Sequence, residues 1–199
     1  ERAKRRMAQA HRMVYTKMKS LNSSFQIGSC ENTGIFRPRW FQLLFQKRRN
    51  FSFLDAVRNE FDFIGVNYYR RYTFLKDGEG QGSDMGWESF PEGLGVILRE
   101  MWQRYTKPII VTENGLADRE DKWRVEFIRD HLKMVALAIS EGIDIRGYLH
   151  WSLLDNFEWS DGFWPRFGLV EVDYKTMERK IRPSALEYKK IISLNSIEA

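Results

Sequence analysis

The hydrophobic positions fall into alternating short apolar runs and longer amphipathic stretches. Residues 4–20 carry Ala8, Val14 and Met18 among polar neighbours, which predicts a helix. Phe25–Cys30 reads as a short strand. Residues 31–52 read as irregular, with a short helix around Trp40–Gln46, and Asp55–Asn59 as a helical turn. Phe61–Asn67 is a clear strand, and the glycines at 78, 80, 82 and 86 mark 76–86 as a loop. Pro91 opens a helix through Tyr105 with Ser89 as its N-cap. Pro108–Thr112 is a strand, Asp121–Glu141 a long helix ended by Gly142, and Ile145–Trp151 a strand. A loop over 153–166, a short strand Gly168–Val172 and a last helix from Pro183 to Ile192 complete the chain.

The main strands centre near Ile27, Ile64, Ile110 and Tyr148, at spacings of 37, 46 and 38 residues. Each interval can hold a helix, which argues for βαβ units in a parallel sheet. Phe61–Asn67 and Pro108–Thr112 are apolar over most of their length, as strands covered on both faces are. Polar residues gather where strands end: Asn67, Tyr68 and Tyr69; Thr112, Glu113 and Asn114; His150 and Trp151. Barrels of the (β/α) type build their active sites from strand C-termini and the loops after them.

Composition narrows the function. The chain has 199 residues, 43% hydrophobic and 30% charged, enough for a single domain spanning 1–199. Aromatics reach 15%, a load that suits either a large core or the walls of a sugar site. One cysteine, Cys30, excludes an internal disulfide and fits a cytoplasmic setting. No apolar run approaches a membrane span, and Glu-Arg-Ala-Lys-Arg-Arg at residues 1–6 lacks the apolar core of a signal peptide. Net charge is +5, with clusters at Lys4-Arg5-Arg6 and Lys47-Arg48-Arg49. Neither belongs to a nucleic-acid module, so solvated helix faces are the simpler reading, with neither nucleic acid nor membrane as partner.

Glu113 is the centre of the candidate chemistry. It follows Pro-Ile-Ile-Val-Thr and precedes Asn114-Gly115. A carboxylate at a strand end, its backbone fixed by the sheet, suits a nucleophile or base, although a surface turn has the same local pattern. Other chemistries find less support. His11, His131 and His150 show no metal-ligand spacing. Gly78-Glu-Gly-Gln-Gly82 lacks the Lys-Ser/Thr of a phosphate loop. His150 adjoins Trp151 but turns to the opposite face of its strand and reads as structural. No metal or other cofactor is expected.

Several segments together resemble glycoside hydrolase family 1. Val111-Thr-Glu-Asn-Gly115 is similar to that family's nucleophile signature. Phe61 to Tyr69, Asp84 to Gly93, Arg146 to Trp159, Gly162 to Asp173 and Arg182 to Ala185 resemble its later segments, in order, with wording closest to archaeal-type β-glycosidases. The resemblance implies an α/β fold: strands 5–8, the C-terminal half, of a (β/α)8 barrel. It implies a retaining, exo-acting β-glycosidase acting on terminal glucosyl or galactosyl residues of oligosaccharides or aryl glycosides. By the same resemblance Glu113 is the nucleophile and Tyr69 orients it. Asn67 sits near the sugar 2-hydroxyl, and Trp151 floors the sugar ring. Glu158 and Trp159 bind its outer hydroxyls, and Phe167 closes the wall.

Retaining glycosidases need a second carboxyl group about 5–5.5 Å from the first. In this family it belongs to an Asn-Glu-Pro segment, which does not occur in these 199 residues. The stretch Cys30–Phe53 is also shorter than the family usually has there. The expectation is therefore a half-barrel, weak or inactive alone, that takes an N-terminal half or a second copy as partner. The alternative is a non-catalytic, sugar-binding or structural half-barrel fragment that self-associates.

Overall fold

A computed structural model describes residues 2–37, 45–72 and 82–197. Four parallel strands form one sheet in chain order: β1 (Gly28–Phe36), β2 (Phe63–Tyr72), β3 (Ile109–Asn114) and β4 (Ile145–His150). Helix α1 (Arg2–Leu21) precedes the sheet. The short helices α2 (Lys47–Asn50) and α3 (Ser52–Ala56) lie between β1 and β2. Helices α4 (Pro91–Tyr105) and α5 (Arg124–Ser140) follow β2 and β3. A small antiparallel hairpin, β5 (Val170–Val172) with β6 (Arg179–Ile181), leads into α6 (Pro183–Leu194). This is the β-strand and helix succession of half a (β/α)8 barrel.

Strand alternation sorts the two faces. Ile64, Val66 and Tyr68 of β2 and Ile109 and Val111 of β3 point to the helix side and are fully buried. They pack with Leu94, Ile97, Leu98 and Met101 of α4 and with Val135 and Ala138 of α5. A second cluster joins Leu116, Phe127, Ile128, Leu132 and Leu169 to Tyr188 and Ile191 of α6. The opposite face is open: Cys30 and Asn32 are exposed, and Leu149 is 56% exposed. Helix α1 is fixed largely by polar contacts. Lys19 pairs with Asp62 at 2.8 Å, Tyr15 donates to Asp62 at 3.2 Å, and the Ile27 amide donates to the same carboxylate at 2.9 Å.

Several expected boundaries move. The first strand is not Phe25–Cys30 but Gly28–Phe36, so residues 31–36 of the stretch read as irregular are sheet. Its polar residues Glu31, Asn32 and Thr33 pair with Val66, Asn67 and Tyr68 of β2. Asn32 is exposed, whereas Thr33 is buried and its hydroxyl donates to the Asn67 carbonyl at 2.9 Å, so polarity there is no break. Strand β2 runs on to Tyr72, where Arg71 and Tyr72 pair with Ile35 and Phe36 of β1. Ser89 does not cap α4: Phe90 holds that position, and its side chain has no oxygen to accept a helix amide. Helix α5 starts at Arg124 instead of Asp121, since the Asp118 carboxylate accepts the amides of Trp123 and Arg124 at 2.8 and 3.1 Å. Strand β6 was missed because Arg179–Ile181 is exposed throughout and carries no burial pattern. The short helix expected around Trp40–Gln46 and the glycines at 78 and 80 fall mostly or wholly outside the described residues.

Candidate active site

The site forms where β2 and β3 end. The two strands pair Val66 with Val111, then Asn67 with Glu113, so Thr112 is an extra residue on β3. Such a bulge re-aims the side chains that follow it. Without it, alternation from the buried Val111 would turn Glu113 toward the helices. With it, Glu113 faces Tyr69, whose hydroxyl donates to Glu113 Oε2 at 2.6 Å. Thr112 stays on the open side and donates to Asn67 Oδ1 at 2.5 Å.

Neighbouring residues take the opposite face and hold the strands in place. The Tyr68 hydroxyl donates to the Phe90 carbonyl at 2.7 Å. Asn114 is fully buried; its amide donates to the Tyr68 carbonyl at 2.6 Å and its Oδ1 accepts from Tyr148 at 2.7 Å. Three strand ends are thus joined through one side chain directly after Glu113. Burial and the bond to Glu113 both raise the Tyr69 phenol well above its ordinary value, so it remains a donor at any physiological pH.

The loop after β4 supplies the second part. Trp151 Nε1 donates to Glu158 Oε1 at 3.2 Å. Burial pushes the Glu158 carboxyl up, and the charge of Glu113 adds to the effect, so the two carboxylates share one electrostatic environment. Phe167 is 2% exposed, and its ring meets Tyr69 edge-on at 6.2 Å. Trp87 closes the triangle, 6.0 Å from Tyr69 and 6.1 Å from Phe167. Trp159 stands apart from this cluster, at 82% exposure.

Asp155 holds the loop in shape. Its buried carboxylate accepts both terminal nitrogens of Arg182 (3.0 and 3.1 Å), Arg166 Nη1 (3.3 Å) and the amides of Gly168 and Val172. The Ser152 amide donates to the Phe167 carbonyl at 3.1 Å, and the Leu169 amide to the Ser152 carbonyl at 2.8 Å. Phe167 is therefore pinned to the residue that follows Trp151.

Of the residues singled out in the sequence, Asn67, Tyr69, Glu113 and Phe167 come together, and Trp151 joins Glu158 beside them. Sequence reasoning assigned no role to Thr112, Trp87, Asn114 or Asp155. Asp155 carries the one usable signal: a carboxylate among Leu153, Leu154 and Phe157, which must find partners if buried.

The comparisons agree with this architecture. The chain is 37% identical to a β-galactosidase of Sulfolobus acidocaldarius over 99% of its own length and 48% of the relative's. That alignment runs over 238 positions against 199 residues here, so the relative carries additional residues within the shared region. A β-galactosidase of Saccharolobus solfataricus is 43% identical over 72% of this chain and 34% of its own. The solved β-glycosidase of Thermosphaera aggregans superposes with a TM-score of 0.87 at 34% identity, covering 98% of this chain and 49% of that one. This chain spans about half the length of the relatives it matches. The family model for glycosyl hydrolase family 1 matches residues 72–197. Together with the half-barrel sheet and the Glu113 neighbourhood, that match establishes that the chain belongs to glycosyl hydrolase family 1.

Proposed function

We propose that this chain is the C-terminal half of the catalytic barrel of a retaining β-glycosidase, with Glu113 as its nucleophile. The observation that carries the reading is the 2.6 Å bond from Tyr69 to Glu113 at the ends of two adjacent parallel strands. A hydroxyl that remains protonated keeps one carboxylate oxygen occupied and leaves the other to attack an anomeric carbon. A terminal β-linked glucosyl or galactosyl residue would lie on Trp151, with Asn67 at its 2-hydroxyl. Glu158 and Trp159 would bind its outer hydroxyls, and Phe167 would close the wall. Trp159 would reach that role only with the bound sugar covering it.

Attack on the anomeric carbon forms the glycosyl–Glu113 ester as the bond to the leaving-group oxygen breaks. That oxygen takes a proton from a second carboxylic acid, and the same group then deprotonates the water that releases the sugar. In this reading the second carboxyl lies in a barrel half outside residues 1–199, on the same chain or on a partner. Among the described residues, strands β1 and β4 each pair with one neighbour only, which supports such a completion.

The test is mechanism-based trapping with a 2-fluoro aryl glycoside on the completed barrel. Peptide mapping is expected to find the sugar on Glu113; a label on another carboxylate removes the assignment. Residues 1–199 alone are expected to hydrolyse activated aryl glycosides weakly or not at all.

A further inference from the structure

Asn67 is held from both neighbouring strands. Its backbone carbonyl accepts the Thr33 hydroxyl of β1 at 2.9 Å, and its side-chain Oδ1 accepts the Thr112 hydroxyl of β3 at 2.5 Å. The first bond, from a buried threonine, fixes the backbone; the second fixes the side chain. A β-branched residue has few χ1 rotamers, so the backbone of β3 sets where the Thr112 hydroxyl points. Gly65 lies two residues before Asn67 on the same face of β2 and leaves room for that hydroxyl. A Cβ at position 65 would come within 3.0 Å of Thr112 Oγ1 and 2.6 Å of Cys30 Sγ.

The two ends of the Asn67 amide thereby acquire different surroundings. Oδ1 faces Thr112, one residue back along β3 from Glu113. Nδ2 carries two N–H donors and meets no acceptor among the described residues. The Asn67 Cα is in register with that of Glu113, and the Glu113 carboxylate favours the donor end of the amide on its own side. The result is an N–H donor beside the candidate nucleophile, aimed by a hydroxyl. Without that hydroxyl the amide would turn at little cost, since the terminal torsion of asparagine is broad.

We infer that Thr112 is a positioning residue: by holding Asn67 Oδ1 it aims Asn67 Nδ2 at the 2-hydroxyl of a sugar bound at Glu113. The inference rests on the glycosidase reading above, in which Asn67 meets that hydroxyl. Bonds at the 2-hydroxyl strengthen in the transition state, so a misaimed donor lowers the rate more than the binding. Thr112 thus acts twice. As the extra residue of the bulge it turns Glu113 toward the site, and through its hydroxyl it orients the donor next to Glu113.

Two measurements separate this role from the glycosidase reading. In residues 1–199, NMR relaxation of the Asn67 side-chain amide is expected to show an ordered group in the unaltered chain and in Thr112→Ser, and a mobile one in Thr112→Val. An amide equally ordered in Thr112→Val overturns the positioning role, whatever the chain catalyses. In the completed barrel, aryl β-glycosides with and without a 2-hydroxyl are compared. Thr112→Val is expected to lower kcat/KM about tenfold on the 2-hydroxy substrate, mostly through kcat, and to leave the 2-deoxy substrate unchanged, with Thr112→Ser restoring the rate. Equal losses on both substrates, or none on either, overturn the inference. Asn67→Ala is the control. If it fails to separate the two substrates, the placement of Asn67 at the 2-hydroxyl fails and the inference with it. Separation by Asn67→Ala but not by Thr112→Val removes Thr112 alone. If Thr112→Val does not fold, Thr112→Ala takes its place.

Discussion

Gly115 packs against the carbonyl oxygen of Trp151: a Cβ at position 115 would come within 1.8 Å of it. The obstacle is backbone, next to the residue that would floor the sugar ring, so no rotamer change relieves it. Gly115→Ala is therefore expected to push the β3 and β4 ends apart and to cost about 1–3 kcal/mol of stability, as overpacking does. Urea unfolding measures the loss. A variant as stable as the original would show that this approach is looser than it looks.

The Asp155–Arg182 pair gives a second expectation. Both side chains are buried, and Asp155 also serves Arg166 and two amides. Removing one partner of a buried ion pair strands the other, at a cost of about 3–5 kcal/mol. Asp155→Ala and Arg182→Ala should each lose stability in that range, and the double variant should lose clearly less than their sum. Additive losses in the double-mutant cycle would mean the two residues act independently.

In the completed barrel, Tyr69→Phe keeps the ring that meets Phe167 and Trp87 but removes the donor to Glu113. Hydrogen bonds to charged groups contribute about 1.5–3 kcal/mol. The expected outcome is a 10- to 150-fold fall in kcat/KM, with the unfolding midpoint changed little. Unaltered kinetics would leave Tyr69 a packing residue only.

Stability should respond to pH through three groups with opposing signs. Burial raises the Glu31 carboxyl to about 7, so the fold holds a proton there that the unfolded chain releases. That linkage favours the fold as pH falls from 7 toward 4.5. Burial pushes His131 down to about 4 and His150 down to about 3, so the fold keeps them neutral where the unfolded chain protonates them. Their contribution is complete above about pH 6.5 and declines as pH falls from there toward the folded values. Glu31→Gln should thus stabilise the chain at pH 8, with the gain fading by pH 4.5. His150→Gln should flatten the decline between pH 6.5 and 4. Denaturant titrations at four or five pH values read both, and parallel profiles for all three proteins would contradict the assignment.

Much of this architecture was legible in the sequence because the strands are apolar and regularly spaced. Ile64, Val66, Ile109 and Val111 face helices, and their pattern marks the central strands, while the helix-length spacing between them argues for a parallel sheet. The strand ends were harder. The polar Glu31 to Thr33 belong to β1, so a rule based on apolar runs ends the strand early. Glu113 was evident from its motif, whereas the bulge at Thr112 that aims it has no local signature. Asp118 caps α5 from six residues before its first helical residue, beyond the reach of a rule that looks directly upstream. Trp87 belongs to a segment before α4, and only the tertiary fold brings its ring to Tyr69 and Phe167.

The order β1-β2-β3-β4 leaves the outer side of each terminal strand without a described partner in the sheet. Amide protons there have no ladder to slow their exchange with solvent, whereas those between β2 and β3 are shielded on both sides. Hydrogen–deuterium exchange would therefore read assembly directly. Whatever polypeptide continues the sheet must protect β1 and β4 first, and the gain in protection along each edge would report the register in which it docks.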